Sequence, residues 1–450
     1  MSMTREKEFY ARFFRLTGAV ALQNLILLGV SLCDNMMLGA YSEAAMSGVA
    51  VVVQLQFLLQ MALAGIGTGA AVIAAQYWGK RETEPIRRIF AVALWLAAGV
   101  GLLFGALGLL IPGRVLRLLT NEPAVIAQGA EYLRALAPAY PLFALSHVGV
   151  AMFRSVESPR VGVYLSLAAL GLDAALNYVL IYGKLGFPSL GARGAALATL
   201  VSYTAQFVML VLYARYYDKK LQFRLHDLLR AKKRDFKAYA KTALPLTGSQ
   251  LSWGLAMNVQ SAIIGRLGQG PIAAVSIASS LFQLVSCVIY AAASASHVVI
   301  GKAVGQGDIA RVKTYARTLQ VLFVGMGLCT GMALFFGRNW IIGVYNIAPE
   351  TRALAMQFMA VLSVTVAGTG YQMTCLAGIV SGGGDTRFVL VNDLIFQWGI
   401  VLPLSALAAF AWHLPPLWVF VFLKSDQVLK CAVAAVKVNR FKWIRDLTKA

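Results

Sequence analysis

The chain has 450 residues, 59% of them hydrophobic and only 13% charged, with 40 basic residues against 19 acidic ones and a formal net charge of +21. Soluble domains average about 25% charged residues, so this composition excludes a soluble chain and points to one that crosses the bilayer many times. In a soluble protein the basic excess would suggest nucleic acid; here the question is on which side of the membrane the cations lie.

A spanning helix needs roughly 20 mostly apolar residues, because lipid offers backbone groups no other partner. Twelve such runs follow one another, at about 16–41, 50–78, 87–111, 131–153, 161–183, 191–214, 242–265, 272–301, 314–337, 351–380, 388–411 and 415–438. None shows the short alternating pattern of a barrel strand. The first run is too long and too poorly flanked for a cleaved signal peptide, so it is expected to stay as helix 1. With both termini in the cytoplasm, 30 of the 40 basic residues fall in cytoplasmic segments and eight in external loops, while Lys424 and Lys430 lie inside the last run. That asymmetry alternates loop by loop and sets the topology.

The chain also repeats itself. Residues 34–50 (DNMMLGAYSEAAMSGVA) are echoed at 260–278 and AAQYWGKRE (74–82) at 299–308, with Gly39 to Gly265 and Gly79 to Gly305 sharing one offset of 226 residues. FRSVESPR (153–160) corresponds likewise to SGGGDTR (381–387). The expected fold is therefore an all-α polytopic membrane protein, with twelve transmembrane helices in two pseudo-symmetric six-helix bundles. The N-lobe covers residues 1–214, a basic cytoplasmic linker 215–241, and the C-lobe with its basic tail 242–450. Six spans per half leave both halves in one orientation, with the substrate expected between them.

Four acids fall within spans: Asp34, Asp173, Asp393 and Asp426. A carboxylate in hydrocarbon is costly, so such residues face protein or water and mark ion pathways. Asp173 and Asn177 share a helix face at i,i+4, and by depth they can meet Asp34 in the outer half of the first bundle. There the carboxylates would exchange a proton or bind Na⁺; the alternative is a structural acid between packed helices. Asp393 lies within snorkelling reach of the cytoplasmic side, and Asp426 is expected to pair with Lys430 one turn on. Gln260 stands where the repeat would place an acid matching Asp34. Gln54, Asn258 and Gln283, with Asp393, are candidates for lining a substrate cavity, although such amides also bond across helix interfaces. The five cysteines fall in apolar stretches and read as small buried hydrophobes. The four histidines have no ligand spacing, so no metal site is expected. Ser381-Gly382-Gly383-Gly384 lacks the lysine of a phosphate loop and reads as a turn, and no nucleophile set or ATP motif indicates an enzyme.

Several segments together resemble the multidrug and toxic-compound extrusion (MATE) family. They are Asp34 to Gly39 in helix 1, QYWGKRE, LNYVLIYGKLGFPSLGARGAALAT (176–199), SGGGDTRFVLVNDL (381–394) and NRFKWIRDLT (439–448), set in the order and register of two six-helix halves. The resemblance implies a monomeric antiporter of the cytoplasmic (inner) membrane that exports amphipathic, often cationic drug-like compounds against H⁺ or Na⁺. It implies no cofactor beyond the coupling ion, and no nucleic acid. By position it carries a cation site onto Asp34, Asp173, Asn177 and Thr199. In one common form of the family the helix-5 pair reads Asn then Asp, whereas here it reads Asp173 then Asn177. Acids that other members carry in helices 7 and 10 are missing, so a C-lobe ion site is not expected. Ala19 stands where the repeat has Pro245, which removes a proline bend from helix 1. The rival reading is a lipid-linked precursor flippase of the same superfamily, which would want a strongly cationic cavity.

Overall fold

In the computed structural model, which describes residues 3–343 and 348–449, the described residues form helices and no strand. Among the described residues, ten helices are long and apolar enough to cross a membrane. They are α1 (Lys7–Tyr41), α2 (Ala45–Gly79), α3 (Thr83–Leu110), α4 (Pro123–Ser155), α5 (Arg160–Tyr182) and α6 (Gly191–Tyr217), then α8 (Gly270–Gly305), α9 (Ile309–Gly343), α10 (Pro349–Val380) and α11 (Thr386–Ala411). The other two expected spans also fall on helix. One is α7 (Lys233–Gly265), which has Pro245 inside it and carries Gln250, Asn258 and Gln260 among its apolar residues. The other is α12, in two pieces, Pro416–Lys424 and Asp426–Asn439. They part at Ser425, whose hydroxyl (2.8 Å) and amide (3.2 Å) both return to the Phe422 carbonyl.

Two compact units result. One holds residues up to Ala21 together with those from Gly248 onward; the other is Leu22–Thr247. The division falls inside α1 and inside α7, and the basic linker belongs wholly to the second unit. Within that unit the linker is docked rather than loose. Asp227, buried, accepts from the Arg224 amide at 2.9 Å and faces Arg230 at 3.5 Å and Arg87 at 3.8 Å. Trp95 of α3 donates to the Leu228 carbonyl at 3.0 Å, and Lys220 donates to the carbonyls of Val156 and Glu157 at 2.9 Å each.

In the unit that contains both chain ends, the start of α1 is part of the core. Phe9, Phe13 and Leu16 pack into one cluster with Phe323 of α9 and with Trp443 of the tail. Glu6 accepts from Arg311 (2.8 Å) and from the Tyr315 hydroxyl (2.6 Å), and the hydrogen-bonded guanidinium holds the Glu6 carboxyl below its ordinary range.

The run 381–384 ends its helix in a turn at Gly383 and Gly384, and the contacts say why Gly383 must be glycine. The Arg445 amide donates to the Gly383 carbonyl at 2.8 Å, and a Cβ on Gly383 would lie 2.1 Å from the Trp443 ring. Asp385 then pairs with Lys437 at 2.8 Å and Arg445 at 3.2 Å, while Ser381 bonds His297 at 2.8 Å. The run is a socket for the C-terminal tail. Overpacking of this kind costs about 1–3 kcal/mol. Gly383→Ala should therefore lower the melting temperature of the purified protein and speed tryptic cleavage after Arg440 and Lys442. Wild-type melting and protease resistance in that variant would contradict the socket.

Candidate functional site

The site begins with how α5 and α6 are joined. The Leu190 amide returns to the Leu180 carbonyl and the Ser189 hydroxyl to that of Ile181, both at 2.9 Å, which closes the connection. Gly194 lets the two helices touch, because a Cβ there would lie 2.5 Å from the Leu180 carbonyl oxygen. On the other side, the Tyr182 hydroxyl donates to the Met37 carbonyl of α1 at 2.8 Å. These contacts bring Asp34 of α1, Asp173 and Asn177 of α5, and Thr199 and Ser202 of α6 to one place.

There, the Asn177 amide donates to Asp34 Oδ1 at 2.6 Å and to Asp173 Oδ2 at 3.0 Å. Both of its protons are used, one on each carboxylate. The Thr199 and Ser202 hydroxyls face Asp173, with Thr199 anchored to the Ala195 carbonyl at 3.1 Å. Asp173, Asn177, Thr199 and Ser202 are buried, whereas Asp34 is half-buried. Two acceptors are left over: Asp173 Oδ1 and Asn177 Oδ1 are buried and accept no hydrogen bond from any described residue. No ion pair between either carboxylate and a Lys or Arg occurs among the described residues. Adjoining carboxylates repel more strongly at low dielectric than in water, and buried charges need pairing. An all-oxygen site of this kind is fitted to take up a proton or a small hard cation. No cluster of three or more His, Cys, Asp or Glu that could hold a metal ion occurs among the described residues.

All four residues of the expected cation site are thus neighbours, and Ser202, one turn after Thr199, joins them. Its i+3 spacing was the signal available in the sequence. The substrate-cavity candidates do not gather. Gln54 is exposed in the unit Leu22–Thr247, while Asn258 and Gln283 are exposed in the other unit; Asn258 bonds the Gly254 carbonyl of its own helix at 3.1 Å. Other amides bond across helices, as with Gln56 to the Tyr203 hydroxyl (2.8 Å) and Gln23 from Arg154 (3.2 Å). Asp393 accepts from Lys430 at 2.9 Å. Lys430 stands 3.5 Å from its expected partner Asp426. Cys287 and Cys375 are buried as expected, whereas Cys33 and Cys431 are half-buried and Cys329 is exposed, a departure from the reading of all five as buried.

Removing the shared donor tests the geometry. Asn177→Ala should destabilise the purified protein by about 1–3 kcal/mol, and the effect should shrink when Asp34→Asn has already removed one carboxylate. A double-mutant cycle should give a coupling of at least about 0.5 kcal/mol; a coupling of zero would mean that Asp34 and Asn177 do not interact.

Comparison with known proteins places the chain. A family model described as MatE matches the chain twice, over residues 19–179 and 245–407, so that the two matches begin 226 residues apart, the offset read from the sequence repeat. A probable multidrug resistance protein NorM of Xanthomonas campestris pv. campestris is 27% identical over 409 residues, covering 88% of this chain and 87% of its own. An uncharacterized transporter YisQ of Bacillus subtilis is 22% identical, with 88% and 86% covered. Among solved structures, a MATE in complex with MaL6 superimposes with a TM-score of 0.87 at 18% identity over 98% and 97% of the two chains. An outward-facing multidrug resistance MATE family transporter of the MOP superfamily gives 0.86 at 17% identity over the whole of both. The structures share the fold, and the twofold family match covers most of the chain: this protein belongs to the MatE family of multi-pass membrane transporters.

Proposed function

We propose that the protein exports amphipathic, often cationic drug-like compounds across the cytoplasmic membrane, with both termini inside, in exchange for H⁺ or Na⁺ bound at Asp34, Asp173, Asn177 and Thr199. The observation that carries this reading is the pair of carboxylates bridged by Asn177 without a basic partner among the described residues, beside the buried Asp173 Oδ1 and Asn177 Oδ1, which accept no hydrogen bond there. The NorM relatives, probable multidrug resistance proteins, support the cargo class.

In this reading the ion enters from the side where it is concentrated and supplies the missing positive charge to Asp34 and Asp173. Asn177 is then freed from holding two anions at once, and α1 repacks against α5. The conformation with the ion bound holds the compound less tightly and releases it outward; the emptied transporter returns, loses the ion inside and reloads. The ion acts only through its different affinity for the two conformations. A precursor flippase would need a cationic cavity for pyrophosphate, whereas of the two intramembrane lysines Lys430 is held beside two carboxylates and Lys424 lies over the Phe282 and Phe420 rings.

Ethidium efflux from everted vesicles, driven separately by a pH gradient and by a Na⁺ gradient, tests class and ion together. Asp34→Asn should abolish gradient-driven efflux while the protein remains in the membrane. Efflux at the wild-type rate in that variant would overturn the site. Thr199→Val separates the ions: loss of a hydroxyl ligand should suppress Na⁺-driven efflux strongly and leave proton-driven efflux within about twofold.

A further inference from the structure

The unit containing both chain ends has an ionic cluster of its own, built differently from Asp34 and Asp173. Lys430 of α12 donates to Asp393 Oδ1 of α11 at 2.9 Å and lies 3.5 Å from Asp426 Oδ2, one turn back on its own helix. The Ser249 hydroxyl of α7 donates to the other oxygen of Asp393. Gln427 reaches both Asp426 oxygens at 2.9 Å, and its own oxygen accepts from Thr369 and Gln372 of α10 at 2.9 Å. The Phe396 ring centroid lies 6.0 Å from the Lys430 ammonium. Helices α11 and α12 thus supply what an ammonium ion needs, namely two carboxylates and an aromatic face, and α7 and α10 buttress them. The ammonium that occupies the place belongs to the chain itself.

Exposure distinguishes the members. The side chains of Lys430 and Asp426 are each 4% exposed, and that of Asp393 is 21% exposed. An incoming cation can therefore reach Asp393, while Lys430 has a second anion waiting in Asp426. The backbone beside Asp393 is also irregular, since Ile395–Val401 run as π-helix, a form that recurs at functional sites. Charge is conserved in the exchange. Two acids face one lysine in the resting cluster, and one further cation leaves every charge paired. Lys424, the remaining intramembrane cation, lies over the rings of Phe282 and Phe420 at 5.6 and 5.8 Å.

We propose that Asp393 is a docking carboxylate for the cationic group of the transported compound, with Lys430 as a tethered occupant that passes to Asp426 when the compound arrives. This rests on the export of organic cations argued above and extends it to a second place in the chain. It also makes Lys430 a filter, because a neutral compound cannot displace an ammonium from its carboxylate.

The test is fluorescence titration of the purified protein with ethidium, a permanent organic cation, and with the uncharged dye Nile red. Asp426→Asn, which deprives Lys430 of its refuge, should weaken ethidium binding about tenfold, and Lys430→Met should strengthen it about tenfold. Asp393→Asn should weaken ethidium binding by at least about tenfold, and the effect of Asp426→Asn should vanish in its presence. Nile red should shift by less than about twofold in every variant. Should Lys430→Met misfold with two uncompensated acids, Lys430→Met/Asp426→Asn keeps the wild-type charge of the cluster and should bind ethidium at least as tightly as wild type. Parallel shifts for both dyes, or an Asp426→Asn variant with unchanged ethidium affinity, would overturn the proposal. Ethidium efflux by the wild type separates the two readings: if it is absent, the export reading itself fails; if it is present while the affinities do not respond, only the docking role of Asp393 fails.

Discussion

One side-chain amide holds the N-terminal site together. Asn177 has two protons to give, and it gives one to Asp34 and one to Asp173, so that helices α1 and α5 are joined through a group that cannot neutralise either acid. A lysine in its place would close the matter with an ion pair, as Lys430 does in the other unit. The amide satisfies geometry and leaves charge unsatisfied, and buried charge left unsatisfied calls for a partner from outside. Under the proposed antiport that partner is the coupling ion.

The rest of that unit serves to make this contact and no looser one. The bare edge of Gly194 lets α6 approach the Leu180 carbonyl, which brings Thr199 and Ser202 alongside Asp173. The Tyr182 hydroxyl on the Met37 carbonyl fixes α1 at the level of Asp34. The other unit spends its polar groups differently, with Asp393 and Asp426 sharing Lys430 and the C-terminal tail seated on the glycine run. The two similar halves thus differ in how they hold their intramembrane acids: among the described residues Asp34 and Asp173 share an amide, whereas Asp393 and Asp426 share Lys430.

Much of this was legible in the sequence, for reasons that can be named. Hydrocarbon makes acids rare, so Asp34 and Asp173 stood out against an apolar background, and helical spacing alone placed Asn177 beside Asp173. The all-helical, multi-span fold followed from run length. Thr199 was another matter: a lone threonine on an apolar helix has no chemical signature, and only family resemblance pointed to it. Asp393 with Lys430 was invisible because its partners lie 37 positions apart on different helices, beyond any periodicity. The parting of α12 at Ser425 and the division of α1 after Ala21 depend on packing rather than local pattern, and so had no local signal.

If the coupling ion works by supplying charge to Asp34 and Asp173, then ion and compound must affect each other's binding reciprocally. Equilibrium affinity of the purified protein for ethidium, measured across a pH series and across a Na⁺ series, puts this to the most direct test. The account expects the affinity to fall at least about tenfold as one of the two ions is raised, and that dependence to vanish in Asp34→Asn. An affinity indifferent to both ions, or an undiminished dependence in Asp34→Asn, would contradict it.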